Sequence, residues 1–325
     1  MPPQQPQSFE DLLRDILPTL DEDFAKAGRP IPDRPLAAAR FVVEHLIVEI
    51  KDETKEDYFV KPWFAGIYQP IYRWFKKRYG AGLTMSRQAQ THGLVDYFGS
   101  VLSFRLPLVF TSPGDEGTSW VHFPDAALPE EPALSWLNNP PPLDDIPASR
   151  RSKLEASIRE TATHLRRINL NLNTADVTQP KVRSLVANVM RHFEKAATDA
   201  VAVDDAALCL AVWELQMACE KTIKGFLAQK LGEYPEIHNL RQLHKLAANT
   251  VDLSAAKSHV SAFPAESKVM AWRYSEIPTP KPSEFLRFYV AAVNLCLVYS
   301  ESMNRKMVIK NFAVQLKASP WRNKA

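Results

Sequence analysis

The residues that could do chemistry begin with cations and aromatic rings between positions 58 and 95. This stretch has six basic residues and no acidic one, and nine aromatic residues fall between 58 and 79. Arg73, Lys76 and Lys77 share one face of a predicted helix. Cations that follow a phosphate backbone and rings that stack on bases are what a single-stranded RNA groove requires. The alternative is a core of aromatic rings with a solvated basic face outside it.

Most other chemistries lack their residues in this chain. The sequence has no HExxH, CxxC, Walker-type or GxGxxG motif, and no credible Ser/His/Asp arrangement. No clustered ligands support metal catalysis, so we predict neither a metal nor a cofactor. Cys209, Cys219 and Cys296 each fall in an apolar helical stretch, which predicts buried, reduced thiols and a reducing cytoplasm.

Length and composition describe the kind of protein that carries these residues. The chain has 325 residues, which suggests two domains, and 40 Lys+Arg against 37 Asp+Glu give a net charge of only +3. Global charge therefore implies no partner. The first seven residues do not resemble a signal peptide, and no apolar run approaches a membrane span. We predict a cytoplasmic protein that does not associate with membranes.

The predicted fold is mainly α, in two parts. An N-terminal α+β domain over 9–123 contains helices near 9–20, 36–49 and 61–79, and a hairpin of strands 101–110 and 118–123. The seven prolines of 124–149 predict a surface linker and a domain boundary. The remaining predictions are a disordered tail over 1–8, a connecting helix over 150–182, an up-and-down helical bundle over 183–304 and a basic tail over 305–325.

Two helices of the predicted bundle have clear packing stripes. One stripe comprises Leu208, Val212, Leu215, Cys219, Thr222 and Phe226, and the other Phe285, Tyr289, Ala292, Cys296, Tyr299 and Met303. Alternating spacings of three and four residues are typical of helices that pack nearly parallel or antiparallel. Asp204 or Asp205 is expected to cap the first helix and Ser283 the second, and Gly232 is expected to end the first.

The segment 183–304 resembles the HEPN domain family. The resemblance rests on Gln216, Ala218, Glu220, Lys221 and Lys224 in a long helix, on His238-Asn239-Leu240 before a short helix, and on Arg273-Tyr274 before the last long helix. It implies a bundle of four or five helices, usually dimeric, of the kind found in RNA-cleaving toxins, phage-defence proteins and modules that bind RNA or nucleotides.

Catalytically active members of that family carry Arg-x(4–6)-His near the start of the last long helix. This chain departs from the pattern, because no histidine follows His259. The resemblance therefore favours a non-catalytic protein of stress response or defence that binds RNA or a nucleotide and forms a homodimer. Two rivals stay open. One is a metal-independent endoribonuclease with a displaced site, and the other is a scaffold whose basic faces bind a partner protein.

The displaced site would pair Arg273 or Arg241 with His238 or His244. His238 has the alternative of bracing the loop before the short helix, and Arg241 and His244 form a polar face one helical turn apart.

The candidate ligand-binding residues are Lys221, Lys224, Arg273 and Tyr274, together with Arg73, Lys76 and Lys77. The two lysines of the long helix either dock a phosphate or belong to a solvated helix face. Arg273 and Tyr274 either bind the ligand or lock the connection into the last helix.

Overall fold

The computed structural model describes residues 8–83, 89–115, 117–202 and 204–317. Over these residues the protein is mainly helical with two small sheets, which confirms that the fold is mainly α. The chain forms two compact units: unit 1 is Met1–Gln88, Pro113–Ser119 and Gln315–Ala325, and unit 2 is Ala89–Ser112 and Trp120–Val314. The predicted N-terminal domain over 9–123 is divided, because 89–112 and 120–123 belong to unit 2. Residues 1–7 of the predicted disordered tail, and 318–325 of the predicted basic tail, lie outside the described residues.

Unit 1 is built on three helices, α1 (Phe9–Lys26), α2 (Arg34–Phe41) and α3 (Pro62–Tyr79). Ser8 begins α1, because its hydroxyl accepts the amide hydrogen of Asp11 at 3.1 Å. After α2 the chain makes a single π turn over 42–46, so this helix ends earlier than the predicted position 49. The three helices share one apolar core that includes Leu17, Ala38, Phe64, Ile71 and Phe75.

The first sheet is an antiparallel hairpin of β1 (Gln90–Tyr97) and β2 (Ser100–Pro107). Its turn is Phe98-Gly99, both with positive φ, as a type I′ turn requires. Gly93 lies opposite Phe104, and a Cβ at Gly93 would come within 2.2 Å of the Phe104 ring. Only glycine therefore lets this ring lie flat against β1.

The second sheet has the order β3-β4-β5, from Phe110–Pro113, Thr118–Phe123 and Phe312–Lys317. The predicted hairpin was wrong in its first strand. Residues 100–107 pair with β1, which the prediction omitted, and only 110–113 lie in the sheet with β4. Strand β5 lies within 305–325, the range predicted to be a basic tail.

Unit 2 surrounds the long helix α7 (Asp205–Leu231), which contacts five other helices. The predicted connecting helix over 150–182 ends at Thr174, and the next two helices of the chain meet at Asn188. The helices besides α7 are α4 (Ala148–Thr174), α5 (Pro180–Ala187), α6 (Val189–Ala200), α8 (Leu240–Ala248), α9 (Ser254–Ala262), α10 (Glu266–Arg273) and α11 (Pro282–Ser302). None of the described helices has the length and apolarity to cross a membrane.

The signals at the ends of α7 are confirmed. Asp204 accepts the amide hydrogen of Ala206 at 2.9 Å, and Gly232 ends the helix with φ 85°. The expected cap at Ser283 was wrong, since α11 begins at Pro282 and has no side-chain cap. Both packing stripes face the core, with only Leu208 partly exposed, and the three cysteines are buried and free.

Residues 124–149 are not a linker between domains. They lie inside unit 2 and bury Ala133, Trp136 and Leu137 in its core. From α4, Arg159 donates to the carbonyls of Leu128 at 2.8 Å and Glu131 at 2.7 Å. The prolines leave only short 3-10 helices here, Ala133–Trp136 and Leu143–Asp145. A carbonyl oxygen has two lone pairs, so those of Leu128 and Glu131 can accept from Arg159 as well as from a backbone N–H.

A second arginine of α4 completes this attachment from inside the core. Arg166 has a fully buried side chain whose five N–H groups all have acceptors. It forms a two-pronged pair with Glu131 at 2.6 and 2.7 Å, and it donates to the carbonyls of Pro107 and Ala126. The guanidinium therefore joins α4, the end of β2 and the proline-rich segment.

We expect Arg166→Met to lower the free energy of unfolding by about 3–5 kcal/mol, because it leaves the Glu131 carboxylate buried without its partner. Arg167→Met is the matched control, since Arg167 is a neighbouring, solvent-exposed arginine 3.9 Å from Glu301. Its loss should cost less than about 1 kcal/mol. Urea denaturation followed by circular dichroism measures both. Equal effects would contradict the role of Arg166.

Candidate functional site

Helix α7 carries two clusters in which a carboxylate, an imidazole and an ammonium group are joined by hydrogen bonds. In the first, the His192 cluster, Glu214 Oε2 lies 2.6 Å from His192 Nδ1, and Lys221 Nζ lies 2.7 Å from His192 Nε2. His192 belongs to α6, whereas Glu214 and Lys221 are seven residues apart on one face of α7. The packing of α6 on α7 therefore builds this cluster.

The partners of His192 define where its protons lie. Glu214 as a carboxylate only accepts, so Nδ1 of His192 donates to it. Nε2 then accepts from the ammonium group of Lys221. Burial lowers the pKa of Lys221, against the opposing effects of Glu214 and Glu220. A carboxylate that orients an imidazole, which in turn contacts an amine, has the geometry of general acid–base chemistry.

In the second cluster, the His238 cluster, Glu220 lies at the centre. Lys224 Nζ donates to Glu220 Oε1 at 2.8 Å, and His238 Nδ1 lies 3.0 and 3.1 Å from the two carboxylate oxygens. The side chains of Glu220 and Lys224 are buried, whereas that of His238 is 62% exposed. Glu220 thus holds one nitrogen of an otherwise open imidazole.

These contacts change the interpretation of the α7 lysines. A solvated helix face was the wrong alternative for Glu220 and Lys224, which are buried against each other. Lys221 is half-buried and bonds to His192. Phosphate docking at Lys221 and Lys224 stays a prediction, and it would require both lysines to exchange an existing partner.

Arg241 and His244, on α8, are engaged with different elements. Arg241 donates to the carbonyl of Phe263 at 2.7 Å, and this bond ties α8 to the segment between α9 and α10. His244 Nδ1 lies 2.8 Å from the hydroxyl of Tyr299 on α11. Burial raises the pKa of Tyr299, so its hydroxyl keeps its proton in this contact.

Arg273 and Tyr274 lie at the end of α10. The guanidinium of Arg273 is 4.3 Å from the ring centre of Trp213 and 5.6 Å from that of Tyr274. Tyr274 is 62% exposed. A guanidinium stacked on indole beside an open phenol ring is a surface on which a base can stack. Stacking on Trp213 joins the end of α10 to α7; ligand binding and locking of the connection into the last helix both stay predictions.

The four candidate catalytic residues do not form one site. Across the described residues, no hydrogen bond or ion pair joins any two of His238, Arg241, His244 and Arg273. Each has its own partner on another element. Of the four, His238 keeps the feature that acid–base chemistry needs most, a carboxylate-oriented and exposed ring.

The candidate residues of α3 lie on an exposed face. Arg73, Lys76 and Lys77 are exposed and make no ion pair with any residue that the structure describes. Their neighbour Arg78 differs, because it lies 2.9 Å from Asp21. The aromatic rings of this stretch pack in or against the core of unit 1, as the structural alternative predicts; they include Phe64, Tyr68, Tyr72, Phe75 and Tyr79.

The His192 cluster escaped sequence reasoning. Glu214 and Lys221 carry a partial signal, because a spacing of seven places them on one helix face. Nothing in the sequence identifies His192 as the group between them, since it comes from a different helix and is 29 residues from Lys221. The part of the chain that the structure describes contains no group of three or more His, Cys, Asp or Glu side chains suited to a metal ion.

Comparison with known proteins finds no match for this chain among family models, curated proteins or solved structures. The resemblance to the HEPN family therefore stays a prediction based on residues of α7, α8 and α10.

The environment of His244 generates a pH-dependent prediction. Burial lowers its pKa below the ordinary value of about 6.5, so the unfolded chain binds more protons than the folded one just below that pH. This contribution to the free energy of unfolding is complete above pH 7 and is lost as the pH falls through the window below 6.5.

His244→Gln should flatten this decline in urea titrations between pH 7.5 and 5. His45→Gln, at an exposed position, is the control. A steeper decline in His244→Gln would contradict the prediction.

Proposed function

We propose that the protein is a non-catalytic, HEPN-like protein that binds single-stranded RNA through the exposed face of α3. The observation that carries this proposal is the difference between its cations. Lys221 and Lys224 are engaged with His192 and Glu220, whereas Arg73, Lys76 and Lys77 have no anionic partner among the described residues. Cations free of internal partners can neutralise phosphates without first breaking a contact.

Two further features support the proposal. Several helices of unit 2 pack around α7, and a helical bundle is what the family resemblance implies. In unit 2, Arg273 and Tyr274 offer a second place where a base can stack. A setting in stress response or defence, and a homodimer formed through the bundle, follow from the resemblance and are part of the proposal.

The double variant Lys76→Glu/Lys77→Glu tests this role of α3. Against a labelled single-stranded RNA of 20 nucleotides, we expect at least a tenfold loss of affinity by fluorescence anisotropy. Each phosphate contact contributes about 0.7 to the slope of log K against log salt, so the slope should fall by about 1.4.

The matched control is Lys245→Glu/Lys257→Glu, which reverses two exposed lysines of α8 and α9 and changes the net charge equally. It should leave the affinity nearly unchanged. If both double variants weaken binding alike, only net charge matters and the proposal for α3 fails. If wild-type protein retains no RNA at 50 mM salt, RNA binding itself is excluded.

A metal-independent endoribonuclease is the second candidate function, and His238 favours it. Glu220 holds Nδ1 of this exposed ring, and no hydrogen bond within the described residues engages Nε2. An imidazole oriented in this way is suited to move a proton to or from a ribose hydroxyl or a leaving oxygen.

End-labelled tRNA incubated with the protein in EDTA and run on a denaturing gel distinguishes the two functions. For the binding protein that we propose, the RNA stays intact. Fragments that disappear with His238→Ala, but persist with His45→Ala at an exposed position of unit 1, would instead establish the nuclease. Circular dichroism should show that both variants keep the wild-type fold.

A further inference from the structure

The His192 cluster of unit 2 takes no part in the functions considered so far. It joins three groups in a row: the Glu214 carboxylate lies 2.6 Å from His192 Nδ1, and Lys221 Nζ lies 2.7 Å from His192 Nε2. Both ring nitrogens have a partner, so the imidazole is held in one orientation. Proteins activate a nucleophile with a base in hydrogen-bond reach of it and a third group that orients the base. In this cluster the amine of Lys221 has the position of the nucleophile.

Two packed helices hold the cluster in place. His192 lies on α6, and Glu214 and Lys221 lie on α7. Phe193, next to His192, and Leu215, next to Glu214, are fully buried, so both helices are anchored in the core beside the cluster. Groups on packed helices keep their mutual geometry better than groups on loops.

The cluster is shielded from water without being closed to it. The side chains of His192 and Glu214 are 16% and 15% exposed, and Lys221 is half-buried. Burial lowers the pKa of Lys221, although Glu214 and Glu220 oppose this effect. At a given pH, a larger fraction of this amine is therefore neutral, and able to act as a nucleophile, than at a lysine of ordinary pKa.

The partner of Lys221 favours one kind of electrophile. Among the described residues, His192 is the only group that forms a hydrogen bond with Nζ of Lys221. Acyl and phosphoryl transfer need further donors, because negative charge develops on oxygen atoms in the transition state. Formation of an imine with an aldehyde needs a group that takes protons from the nitrogen and gives them to the departing oxygen, and His192 Nε2 is suited to both tasks.

We propose that Lys221 forms a reversible imine with a small aldehyde, and that His192 carries the proton transfers of this step. The neutral amine adds to the carbonyl carbon. Nε2 then twice takes a proton from the nitrogen and delivers it to the oxygen: the first transfer gives the carbinolamine, and the second expels water as the C=N bond forms. The Glu214 carboxylate offsets the charge of the imidazolium between the two halves of each transfer. Addition of water reverses the step, which needs no oxidant or reductant.

This inference goes beyond RNA binding and uses none of the residues of α3 that the proposed function assigns to it.

Butanal with sodium cyanoborohydride tests this step on the full-length protein at pH 7.5, because the reductant converts each imine to a stable butylated lysine. The butylated fraction of each lysine is measured by mass spectrometry after brief labelling. We expect Lys221 to react about tenfold faster than the exposed Lys245 and Lys257, which serve as internal controls in the same digest.

His192→Gln distinguishes a base from a structural partner. If His192 carries the protons, the labelling rate of Lys221 falls about tenfold. If His192 only holds the ammonium group, its loss frees the amine and the rate rises. Glu214→Gln should give an intermediate rate, since its amide oxygen still accepts from Nδ1 but no longer offsets the charge of the imidazolium.

His45→Gln is the matched control, because His45 is exposed in unit 1, and it should leave the rate at Lys221 unchanged. Circular dichroism verifies folding, and all three variants should keep wild-type affinity for RNA, which separates this site from α3. The proposal is overturned if Lys221 reacts no faster than Lys245 and Lys257, or if His192→Gln leaves its rate unchanged or raises it. If His192→Gln does not fold, Glu214→Gln decides, and a rate at or above that of wild type overturns the proposal.

Discussion

A guanidinium group shielded from water must find acceptors for five N–H groups, and in unit 2 this requirement organises the chain around Arg166. The acceptors come from Glu131 and from the carbonyls of Pro107 and Ala126. If any of these hydrogen bonds were missing, the fold would be destabilised far more than an exposed hydrogen bond stabilises it, because the charge of Arg166 is buried. After β2, the chain must therefore follow a path that brings Pro107, Ala126 and Glu131 to the side chain of Arg166. This restriction turns a proline-rich stretch, whose own backbone hydrogen bonds form only short turns, into an ordered part of the core.

The polar side chains of helix α7 must also find hydrogen-bond partners, and they find them at residues closer in the sequence. It is covered by neighbouring helices on several sides, so its polar residues must bond to groups nearby. Glu220 pairs with Lys224 and with His238, and Gln216 donates to the carbonyl of His238 at 3.4 Å. The residues of α7 that carry the family resemblance thus have a structural role, because their hydrogen bonds connect α7 to the loop before α8. A pattern of Gln, Glu and Lys in a buried helix can be explained by packing before any ligand is considered.

The sequence predicted what depends on short spacings. Helix α7 begins and ends where Asp204 and Gly232 indicate, because a cap and a left-handed stop act within one turn. Prediction from the sequence failed where the structure depends on residues that are far apart in the chain. Strand β1 was missed because its hairpin turn is Phe98-Gly99, and phenylalanine is not a typical residue for positive φ. The anchoring of residues 124–149 depends on Arg159 and Arg166, whose partners are 28 to 59 residues away.

Contacts with residues far away in the sequence also decide which charged residues are available for function. In the sequence, Lys76, Lys77 and Lys224 are equivalent: each is a cation on a helix with an aromatic residue nearby. The structure separates them, because Lys224 is paired with Glu220, whereas no described carboxylate pairs with Lys76 or Lys77. A cation that already has a buried partner contributes little to binding, since any ligand must first replace that partner and leave a buried carboxylate uncompensated. Phosphate binding in this chain is therefore to be sought at the cations that folding has left unpaired, rather than at those whose spacing most resembles a motif.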